Sequence, residues 1–145
     1  MHSYSLVYVH VVFATWNRHP FLNHATRPEL HAYVAGTARS LGFSDVHVGG
    51  VEDHMHLVGR LGPTHALSNV IGQLKKSSGD WLRERIPRFR WQRGFGGFSV
   101  SPDRIRAVQR YVKRQEEHHK SRTFREELEA LCSDLGIAID DLDLL

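Results

Sequence analysis

FSDVHVGGVEDHMHLVGRL, residues 43–61, reads as two short runs of alternating character meeting near Gly49-Gly50. Alternation with a period of two marks strands, and the paired glycines between the runs mark a hairpin. The second run carries His54 and His56 two positions apart. Residues i and i+2 of a strand point to one face, about 6.5–7 Å apart along the backbone, so two imidazoles there can converge on one cation. They can equally be two partly buried histidines satisfied by backbone or water, because a bare His-x-His spacing is a weak signal. Met55 and Leu57 take the opposite face, Glu52 and Val58 share the histidine face, and Asp53 stands where it can orient a ring or hold the turn.

The flanking sequence supplies the rest of a sheet and its helices. SYSLVYVHVVFAT predicts a strand over 3–15. Thr26 and Glu29 form a capping-box pattern with Pro28 in the first turn, and Leu41-Gly42 supplies a stop, which predicts a first helix. A second helix is expected from about His65 to Ile86, capped by Thr64, with Gly72 and Gly79 weakening it. GFSV after a glycine-rich turn predicts the fourth strand. Ser101, Pro102 and Asp103 signal the start of a helix running through YVKRQEEHH, and Thr123, Glu126 and Gly136 bracket a last helix. The order β-α-β-β-α-β-α-α predicts an α+β fold: a ferredoxin-like β-α-β-β-α-β antiparallel sheet with additional C-terminal helices, within a single domain over 1–145.

Composition narrows the partners. The net charge of +3 conceals an asymmetry: residues 75–125 hold 15 Lys and Arg against 5 acids, whereas residues 126–145 hold 7 acids and no base. Trp81, Phe89, Trp91, Phe95 and Phe98 are interleaved with the basic residues, a mixture suited to phosphate contacts and base stacking on single-stranded nucleic acid. The same mixture also describes a solvated basic face over an aromatic core. One cysteine, Cys132, excludes an internal disulfide and a thiolate metal cluster, and is expected to pack a helix. No apolar run approaches the ~20 residues that span a bilayer, so a cytoplasmic protein is expected.

In the helix after Ser101, Ile105, Val108 and Val112 form an apolar stripe and Arg106, Arg110, Lys113 and Arg114 a basic face. Tyr111 and Gln115 lie four residues apart on the border between them. Gln115 offers a hard carbonyl ligand, or is an exposed amide. Tyr111 offers a nucleophilic oxygen, or closes the edge of the core.

HMH within VEDHMHLV, followed far downstream by YVKRQEEHHK, resembles the HUH single-tyrosine transposases, the TnpA-like insertion-sequence enzymes and their REP-associated relatives. The resemblance covers nearly the whole chain and includes YVHVVFATWNRHPFL, QLKKSSGDWL, FRWQRGFGGFSVS and FREELEALCSDLGI. Phe95 departs from it, since relatives often have Tyr there. The resemblance implies His54, His56 and Gln115 as ligands of Mg²⁺ or Mn²⁺ and Tyr111 as the catalytic nucleophile. The implied activity is cleavage and rejoining of single-stranded DNA through a covalent 5′-phosphotyrosine, in transposition or in processing of repeated hairpins. It also implies hairpin DNA as partner and a homodimer in which sites are often shared between chains. Arg18, Lys75, Lys76, Arg83, Arg85, Arg88, Arg90 and Arg93 are the candidate DNA contacts. The rival reading is a non-catalytic ferredoxin-like domain that binds single-stranded nucleic acid; a water-using phosphodiesterase is a third.

Overall fold

The structure is a computed structural model and describes residues 3–136. Its four strands are β1 (Tyr8–Ala14), β2 (Phe43–Gly50), β3 (His54–Leu61) and β4 (Gly96–Val100), all antiparallel, in the order β2-β3-β1-β4. With α1 (Arg27–Leu41) and α2 (Leu67–Arg83) as the crossovers, this is the expected ferredoxin-like arrangement. The additional C-terminal helices are α3 (Ile105–Lys113), α4 (Gln115–His118) and α5 (Phe124–Leu135). β1 begins five residues later than predicted, because both neighbours run out there: Tyr8 faces Arg60 and Val100 at the ends of their ladders.

Alternation along the central strands divides the buried residues between two layers. Val11, Phe13, Met55 and Leu57 join Leu30, Val34, Val70, Ile71 and Leu74 in the larger core under α1 and α2. On the other face Val12, Ala14 and Phe98 meet Phe124 and Leu128 of α5. Cys132 is buried on α5, as expected for a packing residue.

Several helix starts differ from the prediction for identifiable reasons. Thr26 already has helical φ/ψ (−80°, −29°), so it cannot cap by its side chain; Asn23 Oδ1 instead accepts from Thr26 N at 2.9 Å. α2 starts after Ala66 rather than Thr64 and ends at Arg83 rather than Ile86. Ser101 closes a turn with Arg104 N (3.0 Å), and α3 starts only at Ile105. The predicted single helix over Tyr111 and Gln115 is broken at Arg114 (φ −105°, ψ 30°), separating α3 from α4. The last helix is as predicted: Thr123 accepts from Glu126 N at 3.2 Å, and Gly136 closes it in the left-handed conformation at φ 69°. Glu52, expected on the histidine face, lies in the β2–β3 turn, 3.5 Å from Arg27. Asp140, Asp141 and Asp143 of the acidic tail lie outside the described residues. No helix among the described residues is long and apolar enough to cross a membrane.

Candidate active site

The β3 alternation that sends Met55 and Leu57 into the larger core turns His54 and His56 to the layer under α3 and α5, where both are fully buried. β2 decides how close α3 can come. Gly49 faces His56 in the β2–β3 ladder, and a Cβ added there would lie 1.8 Å from the Val112 carbonyl oxygen. Only a glycine admits the helix backbone at this distance. The last turn of α3 therefore rests on the sheet, and the Tyr111 ring stands edge-on to His56 with centroids 5.7 Å apart.

Glu127, on the first turn of α5, joins these groups. Its Oε1 lies 2.7 Å from His56 Nε2 and 3.2 Å from His54 Nε2, the second without hydrogen-bond alignment. Its Oε2 accepts from the Tyr111 hydroxyl and lies 3.3 Å from His119 Nε2. Each imidazole of the pair is also held at its far nitrogen. Asp53 Oδ1 is 2.8 Å from His54 Nδ1, the orienting role its position suggested, and His10 Nε2 is 2.7 Å from His56 Nδ1. Phe124 stacks on His54 at 4.1 Å, and His118 covers Tyr111 at 4.5 Å.

Gln115 is buried, with Nε2 3.4 Å from the Tyr111 carbonyl oxygen and Oε1 without a hydrogen-bond partner among the described residues. Its neighbour Glu116 is tied to buried Arg27 at 3.3 Å, which anchors the start of α4 against α1. The two candidates separated by the break at Arg114 stay in contact through the Gln115 amide and the Tyr111 carbonyl.

The charges are strongly coupled. Burial opposes the ionisation of Glu127, but the imidazoles of His119, His54 and His56 around it outweigh burial and hold the carboxyl far below the usual range. Burial likewise pulls His54 down, yet Asp53 and Glu127 prevail and raise it. In His56 burial wins and the pKa is lowered. Burial, then the Glu127 charge, pushes the Tyr111 phenol up, so in this arrangement Tyr111 keeps its proton.

His54, His56 and Glu127 offer two imidazole nitrogens and one carboxylate oxygen, all within 4.8 Å of one another. These donors fit a divalent cation that accepts both nitrogen and oxygen. The sequence reading assigned no role to Glu127, His119 or His10. The signal for Glu127 was available: Phe124, Glu127 and Leu128 form the buried i, i+3, i+4 stripe of α5, and a carboxylate in such a stripe needs a partner.

The basic candidates separate into two groups. Lys75 donates to the Gln92 and Gly94 carbonyls at 2.6 and 2.7 Å, and burial lowers its pKa to about 8. Arg83 pairs with Asp80 at 2.6 Å, and Arg85 stacks on Trp81 at 3.6 Å. These three make contacts within the chain, and Arg83 and Arg85 are exposed all the same. Arg18, Lys76, Arg88, Arg90 and Arg93 are exposed, and Arg88 and Arg90 line a groove of about 610 Å³ with Trp16 and His19 beyond the end of β1.

Comparison with known proteins agrees with this architecture. A protein of Deinococcus radiodurans assigned as a transposase shares the fold with a TM-score of 0.63 and 21% identity, covering 77% of this chain and 93% of that one. A REP-associated tyrosine transposase, solved bound to a REP hairpin, aligns with a TM-score of 0.53 and 16% identity over 77% of this chain and 70% of that one. Comparison with curated proteins gave no match. The sequence profile of the family described as "Transposase IS200 like" matches residues 3–115, which takes in β1 through Gln115 and so both histidines, Tyr111 and the predicted glutamine. The chain belongs to the IS200-like transposase family.

Proposed function

We propose that this protein is an HUH single-tyrosine DNA strand transferase, one domain over residues 1–145, that cleaves and rejoins hairpin-bearing single-stranded DNA. The observation that carries the reading is the meeting, in one buried cluster, of His54, His56 and Glu127 with the Tyr111 hydroxyl. In this reading His54, His56, Gln115 and Glu127 hold Mg²⁺ or Mn²⁺. The bound ion supplies Lewis-acid polarisation of the scissile phosphate.

Tyr111 is the nucleophile. The T-shaped contact with His56 and the cover of His118 hold its ring, leaving its oxygen at the cluster. Attack of that oxygen on phosphorus forms a 5′-phosphotyrosine and releases a 3′-hydroxyl. The covalent link keeps the phosphodiester energy, so a second 3′-hydroxyl can reverse the step. The phenol proton must leave as the bond forms, and charge withdrawn from Glu127 removes one of the causes that hold it in place. Exposed Arg18, Lys76, Arg88, Arg90 and Arg93 offer phosphate contacts, and Trp16 beside Arg90 offers a stacking face for an unpaired base. The reading keeps the homodimer that the family resemblance implies.

The test is incubation of labelled single-stranded hairpin DNA with Mn²⁺ or Mg²⁺, resolved on a denaturing protein gel. A covalent adduct is expected, absent in Tyr111→Phe and in chelator. An adduct that survives Tyr111→Phe would remove Tyr111 from the mechanism. Cleavage without any adduct would favour a hydrolase, and binding without cleavage a non-catalytic domain.

A further inference from the structure

His10 has no role in the readings above, yet it is 97% removed from solvent and lies against the site. It sits on β1 on the face shared with Val12, the ladder partner of His56. Its ring stacks on His56 with centroids 5.0 Å apart and planes inclined by 26°, and the rings of Phe98 and Tyr111 flank it at 6.3 and 6.2 Å. The 2.7 Å contact between His10 Nε2 and His56 Nδ1 requires one N–H between two ring nitrogens.

We propose that His10 is the positioning residue of His56, a partner able both to donate to and to accept from Nδ1, so that His56 can present either an N–H or a bare lone pair at Nε2. The inference rests on the divalent-ion reading of the site. Glu127 faces His56 Nε2 at 2.7 Å as an acceptor only. A neutral His56 therefore carries its proton on Nε2, and its Nδ1 accepts from His10 Nε2–H. A cation at Nε2 needs that lone pair, so the proton of His56 must stand on Nδ1. His10 Nε2 must then accept, with the His10 proton on its own Nδ1. Two N–H groups exist before and two after, so both rings exchange tautomers and the pair gains and loses no proton.

The partner of His54 cannot do this. Asp53 only accepts, at 2.8 Å, and keeps the proton of His54 on Nδ1 in either state. A neutral His54 thus keeps its lone pair on Nε2, whereas a neutral His56 can serve Glu127 in one state and a cation in the other.

Two variants separate positioning from packing. His10→Phe keeps a flat ring against His56 without a polar atom. His10→Gln places an amide near the former Nε2 that can turn either its oxygen or its NH₂ toward His56. Mn²⁺ titrated calorimetrically into the metal-free full chain should bind about 10–100-fold more weakly to His10→Phe, the range typical of lost outer-shell partners, and within about threefold of wild type to His10→Gln. Long-range ¹⁵N–¹H spectra of the wild-type protein should show His10 and His56 as Nε2–H tautomers without metal and as Nδ1–H tautomers with Zn²⁺. These spectra decide the question even if His10→Phe does not fold. Equal affinity of His10→Phe and wild type, a His10→Gln as weak as His10→Phe, or any other protonation pattern of His56 in the metal-free chain would overturn this inference alone. A wild-type protein that takes up no ion would overturn it together with the metal reading.

Discussion

The two faces of β3 are equally buried and chemically opposite. Met55 and Leu57 on one side and His54 and His56 on the other are all at 0% exposure. Met55 and Leu57 meet aliphatic and aromatic side chains of α1 and α2, where shape and apolar area decide stability. His54 and His56 meet Asp53, His10 and Glu127, where each nitrogen must find a partner of the right kind. Burial alone therefore does not separate core from site in this strand. What separates them is that one face is satisfied by any well-shaped hydrocarbon, while the other is satisfied only by particular donors and acceptors in a particular protonation state.

That contrast predicts that damage to the two faces has different readouts. Leu57→Ala should cost about 4 kcal/mol of folding stability, within the usual range for a buried leucine, measured by urea denaturation. The folded fraction of this variant should retain its Mn²⁺ affinity. A fall in affinity comparable to that of a His54 variant would show that the two faces are not independent.

Gly49→Ala addresses the seam between the sheet and α3. The new Cβ must displace the Val112 carbonyl and with it Tyr111, while leaving His54 and His56 on β3. Adduct formation should fall about 100-fold, the scale of a 1 Å misplacement of a reacting group, and Mn²⁺ affinity should weaken with it because Gln115 follows directly after α3. Normal adduct yield would mean that α3 finds another seat.

The smallest expected effect concerns pH. Burial lowers His10 from 6.5 to about 3 and His31, on α1, from 6.5 to about 4. Both contributions are complete above pH 6.5. They are lost as pH falls toward those folded values, because the unfolded chain takes up protons that the folded chain refuses. Each should amount to about 2 kcal/mol between pH 6.5 and 5. His54 works in the opposite sense: its pKa is raised, so its contribution is present below 6.5 and fades as pH rises through the folded pKa. Melting of His31→Gln in chelator, compared with wild type across pH 5–7, isolates one histidine of α1, which lines a cavity with Gly49 and Gln115. A parallel pair of pH profiles would remove His31 from the account.

Much of the fold could be read from local pattern. The two alternating runs around Gly49-Gly50 became β2 and β3, and the Thr123 and Gly136 signals became the ends of α5. Start signals failed where a competing turn took the same groups, as at Asn23 before α1 and at Ser101 before α3. At the site, the pairing of His54 with His56 and the role of Asp53 followed from strand geometry, and Tyr111 and Gln115 came from the family resemblance. Glu127 was read as one of several acids in a negatively charged tail, because nothing in its neighbours along the chain says which face α5 turns to the sheet.

Periodicity is a property of near neighbours, and it is enough to put His54 and His56 on one face of a strand and Met55 and Leu57 on the other. The site joins residues 10, 54, 56, 111 and 127, and no local pattern links those positions. They meet because Gly49 lets α3 settle onto β2 and because the buried stripe of Phe124 and Leu128 seats α5 on the remaining face of the sheet. A buried carboxylate among imidazoles and a phenol is stable only when all of those surfaces close together, so its partners are set by packing across the whole chain.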